Sequence, residues 1–319
     1  MDREIWGVVL AAVKRACRAV EAQARAESGG RGRRPRYPNW LVVAMYVWAV
    51  WHDRTMNWAC DRSHYAGGVF RPRGRLPSVS QFTRRVKTEA FQAVLQRVHD
   101  ELAERGLLSD AGYLDGKALP VSPVSKDRQA TRGRVSGGFA KGYKLHAFVN
   151  ERRRIVVWSV MGLNVAEQSV AAELLPHVAP ALAPGAVVMA DSNYDSAPLH
   201  KTAADPLGVC LLHPLKGQQR VGPDGHHPVT LRQMGGTRRE LVGCWDEHPA
   251  LARFVLKARD AIERVFGVLT CTAGGLAALP AWVRTLGRVR RWVGVKIILY
   301  NARLKVQKAR QRQRLTAAA

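Results

Sequence analysis

Three carboxylates stand at positions where a charge is costly unless it is paired or bound to a cation. Asp115 lies inside a short apolar run, Asp191 directly follows the run VVMA, and Glu263 lies among apolar residues of a helical stretch. Strand ends converge in space, so carboxylates from two strands and one facing helix can surround a hard cation such as Mg²⁺. Two such ions about 4 Å apart can activate an attacking oxygen and stabilise a leaving one. The three positions therefore predict a metal-dependent phosphodiester site.

Each acid also has a purely structural interpretation. The Asp115-Gly116 pair is a common hairpin-turn signal. Asp191 could cap a strand end, and Glu263 could pair with Arg259 one helical turn earlier. Spacing alone leaves both interpretations open.

The elements that would position these acids begin near residue 110, where the hydrophobic pattern changes from helical to strand-like. Asn164 as N-cap and Glu167 three residues later predict the start of a helix that ends near residue 180. A second helix over 254–269 would carry Glu263. The predicted strands are residues 113–119, 142–149, 154–161, 186–192 and 209–215, with a short helix over 198–204.

The first 108 residues read as helices only. Ile5, Val9, Val13 and Val20 share one face of a predicted helix. Asn39 would cap an apolar helix over 40–51, and a capping box at Ser78 and Gln81 would open a short polar helix, followed by one over 90–105. We predict an α+β or α/β protein with a helical DNA-binding domain (1–108) and a mixed-sheet catalytic domain (109–319). The second domain would include an insertion (about 216–250) and a basic helical tail (282–319).

The charge balance points to a polyanionic partner. Fifty Lys and Arg face 25 Asp and Glu among 319 residues, a net charge of +25. Self-repulsion of that size opposes compaction unless a polyanion is bound. Apolar residues make up 47% of the chain, too many for a disordered protein. The longest apolar run, 40–51, is too short to span a membrane. Five scattered cysteines and the lack of a signal-peptide pattern predict a cytoplasmic protein.

Four stretches together resemble the DDE transposases of bacterial insertion sequences, whose catalytic domain has an RNase H-like fold. They are YLDGKAL, GGFAKGYKLHAFV, VMADSNYDS and RDAIERVFGVL, in the family's order between residues 110 and 305. The resemblance implies that Asp115, Asp191 and Glu263 are the catalytic acids and that they bind Mg²⁺ or Mn²⁺.

Further site residues follow from the same resemblance. Arg259 matches the Arg of the family's Tyr-Arg-Glu-Lys signature, while Leu256 and Thr270 stand where its Tyr and Lys are expected. Arg264 or Lys257 could substitute for the missing Lys. The predicted DNA contacts are Arg33, Arg34, Arg36, Arg84, Arg85, Lys144, Tyr194 and Arg264.

The implied activity is metal-dependent cleavage of an element's ends and joining of the 3′-hydroxyl to target DNA. The implied partners are double-stranded DNA (terminal inverted repeats and target) and a second copy of the chain, a homodimer on paired ends in the bacterial nucleoid. A catalytically inactive DNA-binding derivative and a nuclease of the same fold stay open as alternatives. His213, His226, His227, His248, Cys210 and Cys244 fit no closed zinc pattern.

Overall fold

The structure, a computed structural model, describes residues 2–29, 35–214 and 247–318, together with 236, 239–240 and 243–244. The chain divides into two compact units. The helical unit comprises Met1–Glu104 and Val268–Ala319, and the sheet unit comprises Arg105–Gly267. None of the helices in the described part of the chain combines the length and hydropathy that a bilayer crossing requires.

The helical unit is built around one apolar helix. Helix α2 (Asn39–Trp51) buries ten consecutive residues, as its apolar sequence predicts. Around it pack α1 (Arg3–Glu27), α5 (Glu89–Ala103) and the long C-terminal helix α10 (Leu286–Ala318). The four aliphatic residues predicted to share one face of α1 are all buried. The short helices α3 (Met56–Ala59) and α4 (Val79–Arg85) complete the unit.

Local capping signals fix some of these helix ends. The capping box of α4 is present in both directions: the Ser78 hydroxyl accepts from the Gln81 backbone N–H, and the Gln81 side-chain Oε1 accepts from the Ser78 backbone N–H. The predicted N-cap of α2 is wrong. Pro38 occupies that position without a side-chain bond, and Asn39 instead bonds to Glu21 and Arg85.

In the part of the chain that the structure describes, the sheet unit has one mixed sheet of six strands. The central strand β1 (Ser109–Pro120) pairs antiparallel with β3 (Gly138–Asn150) and parallel with β5 (Leu182–Met189). Strand β6 (Cys210–Leu212) continues the sheet beside β5 in the parallel sense. Beyond β3, both β2 (Thr131–Val135) and β4 (Ile155–Gly162) pair with it antiparallel, β2 along its first residues and β4 along the rest.

Helix α6 (Glu167–Val178) packs on this sheet and covers its main apolar core. Leu114 of β1, Phe148 of β3 and Leu174 of α6 are among its buried members, and α7 (Ala197–Ala204) adds Leu199. Helix α8 (Pro249–Ala258) belongs to the sheet unit, and α9 (Asp260–Cys271) begins in it and ends beyond its last residue, Gly267.

A helical N-terminal region followed by a mixed-sheet, RNase H-like domain is therefore confirmed. Two element predictions differ from the structure. Strand β2 was not predicted, because its five residues have no apolar alternation, and the predicted helix 254–269 is two helices that break at Arg259. The basic tail groups with the helical unit, whereas the sequence assigned it to the catalytic domain. The predicted insertion lies largely outside the described residues.

Candidate active site

The middle of β1 carries Asp115. It lies opposite Ala147 in the register with β3, and its side chain is only 15% exposed. One of its carboxylate oxygens accepts a hydrogen bond from the Gly116 N–H at 2.7 Å. The hairpin-turn alternative for this Asp-Gly pair is wrong, because β1 runs unbroken through both residues.

The parallel neighbour of β1 delivers Asp191. The register pairs Tyr113 of β1 with Met189 of β5, and each acid lies two residues beyond its member of that pair. Asp191 also caps a short 3₁₀ turn, accepting from the backbone and side-chain nitrogens of Asn193 at 2.8 and 3.0 Å. The capping interpretation and the site interpretation are thus compatible.

Both acids line one open cavity of about 650 Å³. Because β1 and β5 are adjacent and parallel, residues 76 positions apart in sequence reach the same opening. Its charged and amide-bearing lining residues are Asp115, Arg134, Lys144, Glu167, Gln168, Asp191 and Asn193.

The cavity concentrates negative charge. Burial raises the pKa of Asp115 to about 6, and the nearby carboxylates of Asp191 and Glu167 add to the rise. The Gly116 N–H and the Arg259 guanidinium lower that pKa, without cancelling the rise. A cation in the cavity would therefore stabilise the ionised form of Asp115.

Glu167 is the site residue that the sequence analysis missed. It was assigned to a capping pair with Asn164, but the N-cap of α6 is Ala166, without a side-chain bond. Glu167 instead enters the cavity and accepts from Lys144 Nζ at 2.6 Å, with both side chains at least 85% buried. Its second carboxylate oxygen is buried without a hydrogen-bond partner among the described residues. The sequence does contain one signal for this pair. Lys144 lies in a mostly apolar strand, where a buried charge needs a partner, and Glu167 lies in the first turn of the next helix.

The third predicted acid is linked to Asp115 only through an arginine. Arg259, at the break between α8 and α9, has its guanidinium 3.8 Å from Asp115 and 3.1 Å from Glu263. Glu263 is 59% exposed. Among the residues that the structure describes, no three His, Cys, Asp or Glu side chains lie close enough together to hold a metal ion. The structure thus brings together Asp115 and Asp191 and holds Glu263 on the far side of Arg259.

Comparison with known proteins identifies the domain that contains this site. Residues 106–302 match the family model described as "Transposase DDE domain". The chain belongs to the DDE transposase family. A solved structure of a piggyBac transposase synaptic complex with hairpin DNA aligns at a TM-score of 0.46 and 10% identity, covering 94% of this chain and 73% of that one. No curated protein sequence matches significantly.

The donor chemistry of this DDE domain fits a divalent cation. Mg²⁺ is usually held by one or two carboxylates together with water and substrate phosphates. Asp115 and Asp191 supply hard oxygen donors to one cavity. The neighbouring negative charges that help raise the pKa of Asp115 are charges that a cation would neutralise. These two residues would hold the ion.

The DNA contacts predicted for the DDE domain have different environments. Tyr194 is fully buried, and its hydroxyl has no partner in the described part of the chain. Burial first, then the neighbouring acids, raise the pKa of Tyr194 well above its usual value. A side chain so enclosed has no surface open to DNA in this structure. Lys144 is engaged by Glu167, whereas Arg264 is exposed.

The arginines predicted to bind DNA from the helical unit also differ. Arg36 and Arg84 are exposed. Arg85 is half-buried and donates to the Tyr37 carbonyl oxygen and to the side chain of Asn39. Its guanidinium therefore links α4 to the start of α2 within the helical unit. Arg33 and Arg34 lie outside the described residues.

Proposed function

We propose that this protein is the DNA transposase of an insertion sequence, which cleaves the element's ends and joins the freed 3′-hydroxyl to target DNA. The observation that carries the proposal is the shared cavity of Asp115 and Asp191 inside a DDE transposase domain. An open cavity suits a large substrate better than an enclosed small-molecule pocket does. A divalent cation on the carboxylates would offset their repulsion of a phosphate.

Asp115 and Asp191 would hold Mg²⁺ or Mn²⁺, and Glu263 is the third ligand that family resemblance implies. When bound, such ions activate the attacking oxygen and stabilise charge on the leaving oxygen. Arg259 spans Asp115 and Glu263, so it ties the helix that carries Glu263 to the strand that carries Asp115. No side chain of the protein needs to form a covalent bond with DNA in this scheme.

The partners in this proposal are duplex DNA at the terminal repeats and target DNA, bound by a homodimer on paired ends. A net charge of +25 supports a phosphate-rich partner, because each neutralised phosphate releases counterions. The exposed Arg36 and Arg84 make the helical unit the suggested reader of the repeats. Action on a bacterial chromosome would place the protein in the cytoplasm.

The test is an end-cleavage assay with DNA that carries the repeats flanking the gene, in Mg²⁺ or Mn²⁺. Wild-type protein should cleave the ends and produce joined products. Asp191→Asn should bind the DNA without cleaving it, whereas Asp205→Asn, at an exposed acid of the same unit, should behave as wild type. Cleavage that survives Asp191→Asn would contradict the site, and cleavage without joined products would indicate a nuclease.

A non-catalytic DNA-binding derivative is the second candidate. It is favoured by Leu256 and Thr270 at the signature's Tyr and Lys positions and by the exposure of Glu263. Specific binding of the repeats with no cleavage by the wild-type protein, in either metal, would support this candidate over the transposase.

A further inference from the structure

The hairpin formed by β2 and β3 presents three cations and a phenyl ring on one face. The antiparallel register places Arg132 opposite Lys141 and Arg134 opposite Phe139, and directly opposed residues share a face. Arg132 and Arg134 are exposed, and Phe139 is 72% exposed. We call these four residues the hairpin face.

Close backbone packing holds the hairpin in place. A Cβ on Gly133 would meet the Leu163 carbonyl oxygen at 2.3 Å, so only glycine lets β2 lie against that backbone. Lys141 Nζ donates to the Ser125 carbonyl oxygen at 2.7 Å, which ties the hairpin to the preceding loop. The hairpin face is therefore a fixed surface built on strands rather than on a loose loop.

This surface continues into the acid cavity. Arg134, Val135 and Ser136 line the same opening as Asp115 and Asp191. Neither the Arg132 nor the Arg134 guanidinium has an ion pair or hydrogen bond to any residue that the structure describes, so both groups are available to a ligand. A polyanion bound there would lie directly beside the carboxylates.

The combination of cations with an exposed ring identifies the class of polyanion. Proteins that hold single-stranded nucleic acid pair basic residues with the backbone and stack bases on aromatic rings. A fully paired duplex would contact Arg132 and Arg134 and leave Phe139 exposed to water, whereas a strand with an unpaired base can contact both arginines and the ring. An anionic lipid surface could contact the same arginines, but its headgroups would be repelled by the carboxylates of the adjoining cavity.

We propose that the hairpin face binds one strand at a DNA end, with an unpaired base stacked on Phe139 and its phosphates paired with Arg132 and Arg134. This inference rests on the proposed function, since it names the strand that the acid cavity would receive.

The experiment measures binding in EDTA, where cleavage cannot contribute. The probe is a duplex oligonucleotide with a 3′ overhang that carries 2-aminopurine, compared with a blunt duplex of the same sequence. Wild-type protein should quench the overhang's fluorescence. Phe139→Ala should abolish the quenching and weaken overhang binding by about 5- to 100-fold, the range for one lost base stack, with blunt-duplex binding unchanged.

Three further variants make the result specific. Phe139→Trp should restore quenching, because it keeps an aromatic face. The double variant Arg132→Ala/Arg134→Ala should reduce the salt dependence of binding by about two phosphate contacts. Lys201→Ala, which removes one exposed charge from α7, should leave overhang quenching unchanged.

Several outcomes would overturn the inference. Unchanged quenching in Phe139→Ala would do so. If end cleavage still depended on Asp191 in that case, the proposed function would stand without the hairpin face. Phe139-dependent binding without any cleavage would support the hairpin face and contradict the transposase. Binding to phosphatidylglycerol vesicles that depends on Phe139, with no overhang binding, would indicate a lipid surface instead.

Discussion

The Asp115 carboxyl is destabilising when ionised in the metal-free protein. Its pKa is about 6 in the fold, against an ordinary value of 3.8, so the folded protein binds the proton more tightly. The stability from this proton is present below the unfolded pKa and is lost as the pH rises through about 6. At pH 7 the loss is on the order of 3 kcal/mol, since each unit of pKa corresponds to about 1.4 kcal/mol.

Asp115→Asn should therefore stabilise the metal-free protein at pH 7, by up to about 3 kcal/mol, and should have little effect at pH 4. Urea unfolding in EDTA at the two pH values measures this. Mn²⁺ should raise the melting temperature of the wild type but not of Asp115→Asn, because the variant lacks one of the two carboxylates. Equal stabilisation of both proteins by Mn²⁺ would contradict the assignment of Asp115 as a ligand.

The Lys144–Glu167 pair gives a second test at this scale. Lys144→Met should destabilise the sheet unit by about 3 kcal/mol, because it leaves the Glu167 carboxylate buried and uncompensated. Lys144→Met/Glu167→Leu should recover most of that loss, since no buried charge remains. A double-mutant cycle by chemical unfolding measures the coupling, and additive losses would show that the two side chains do not interact.

Strand β2 depends on the absence of a side chain at Gly133. Gly133→Ala should destabilise the sheet unit by about 2 kcal/mol and expose β2 amides to exchange, because a Cβ cannot approach the Leu163 backbone to 2.3 Å. Hydrogen exchange read by mass spectrometry reports the strand locally. Arg132→Ala on the neighbouring, exposed position is the control, and equal protection in the two variants would contradict the packing argument.

The same strand shows what sequence patterns can and cannot predict. Strands β1, β3, β4 and β5 contain short apolar segments, so their existence and order are predictable from the sequence pattern. The placement of Asp115 within β1 and of Asp191 just after β5 follows from the same pattern. Strand β2 has two arginines and a glycine in five residues, and only the register with β3 makes it a strand. The position of Glu167 in the site is not predictable from its local sequence, for a related reason. Its neighbours in sequence fit a capping pair, whereas its partner Lys144 is close only in the folded structure.

At the scale of the whole molecule, the C-terminal helix completes the helical unit. Val289, Val293 and Ile297 of α10 are fully buried, and Lys296 Nζ lies 2.7 Å from Asp53, just beyond the end of α2. Burial lowers the pKa of Lys296, and Asp53 opposes that change. Sequence identified this tail as helical and basic. Its basic composition gives no sign that its apolar residues pack in the helical unit.

Asp53→Ala should destabilise the helical unit by about 3 kcal/mol, because it leaves the Lys296 ammonium buried and without its partner. Lys296→Met should be close to neutral, since a side chain of similar length replaces the ammonium in an apolar site. Thermal unfolding of the full chain measures both. A larger loss for Lys296→Met than for Asp53→Ala would show that the ion pair itself is stabilising.

Truncation after residue 285 should leave the first 104 residues unable to fold stably, because α1, α2 and α5 would expose the apolar surface that α10 covers. Circular dichroism and limited proteolysis of the truncated chain test this. Truncation after residue 312, beyond the last buried residue of α10, is the control and should stay folded.

The return of α10 to the N-terminal helices also sets an order of events on the ribosome. Domains generally fold as they emerge, beginning at the N-terminus. Here the first helices to be synthesised lack their α10 partner until the entire sheet unit has followed them. The sheet unit, although second in sequence, is the first that can close. The apolar faces of α1 and α2 must stay soluble through that interval, so the nascent chain is most exposed to aggregation, and to chaperones, before α10 is made.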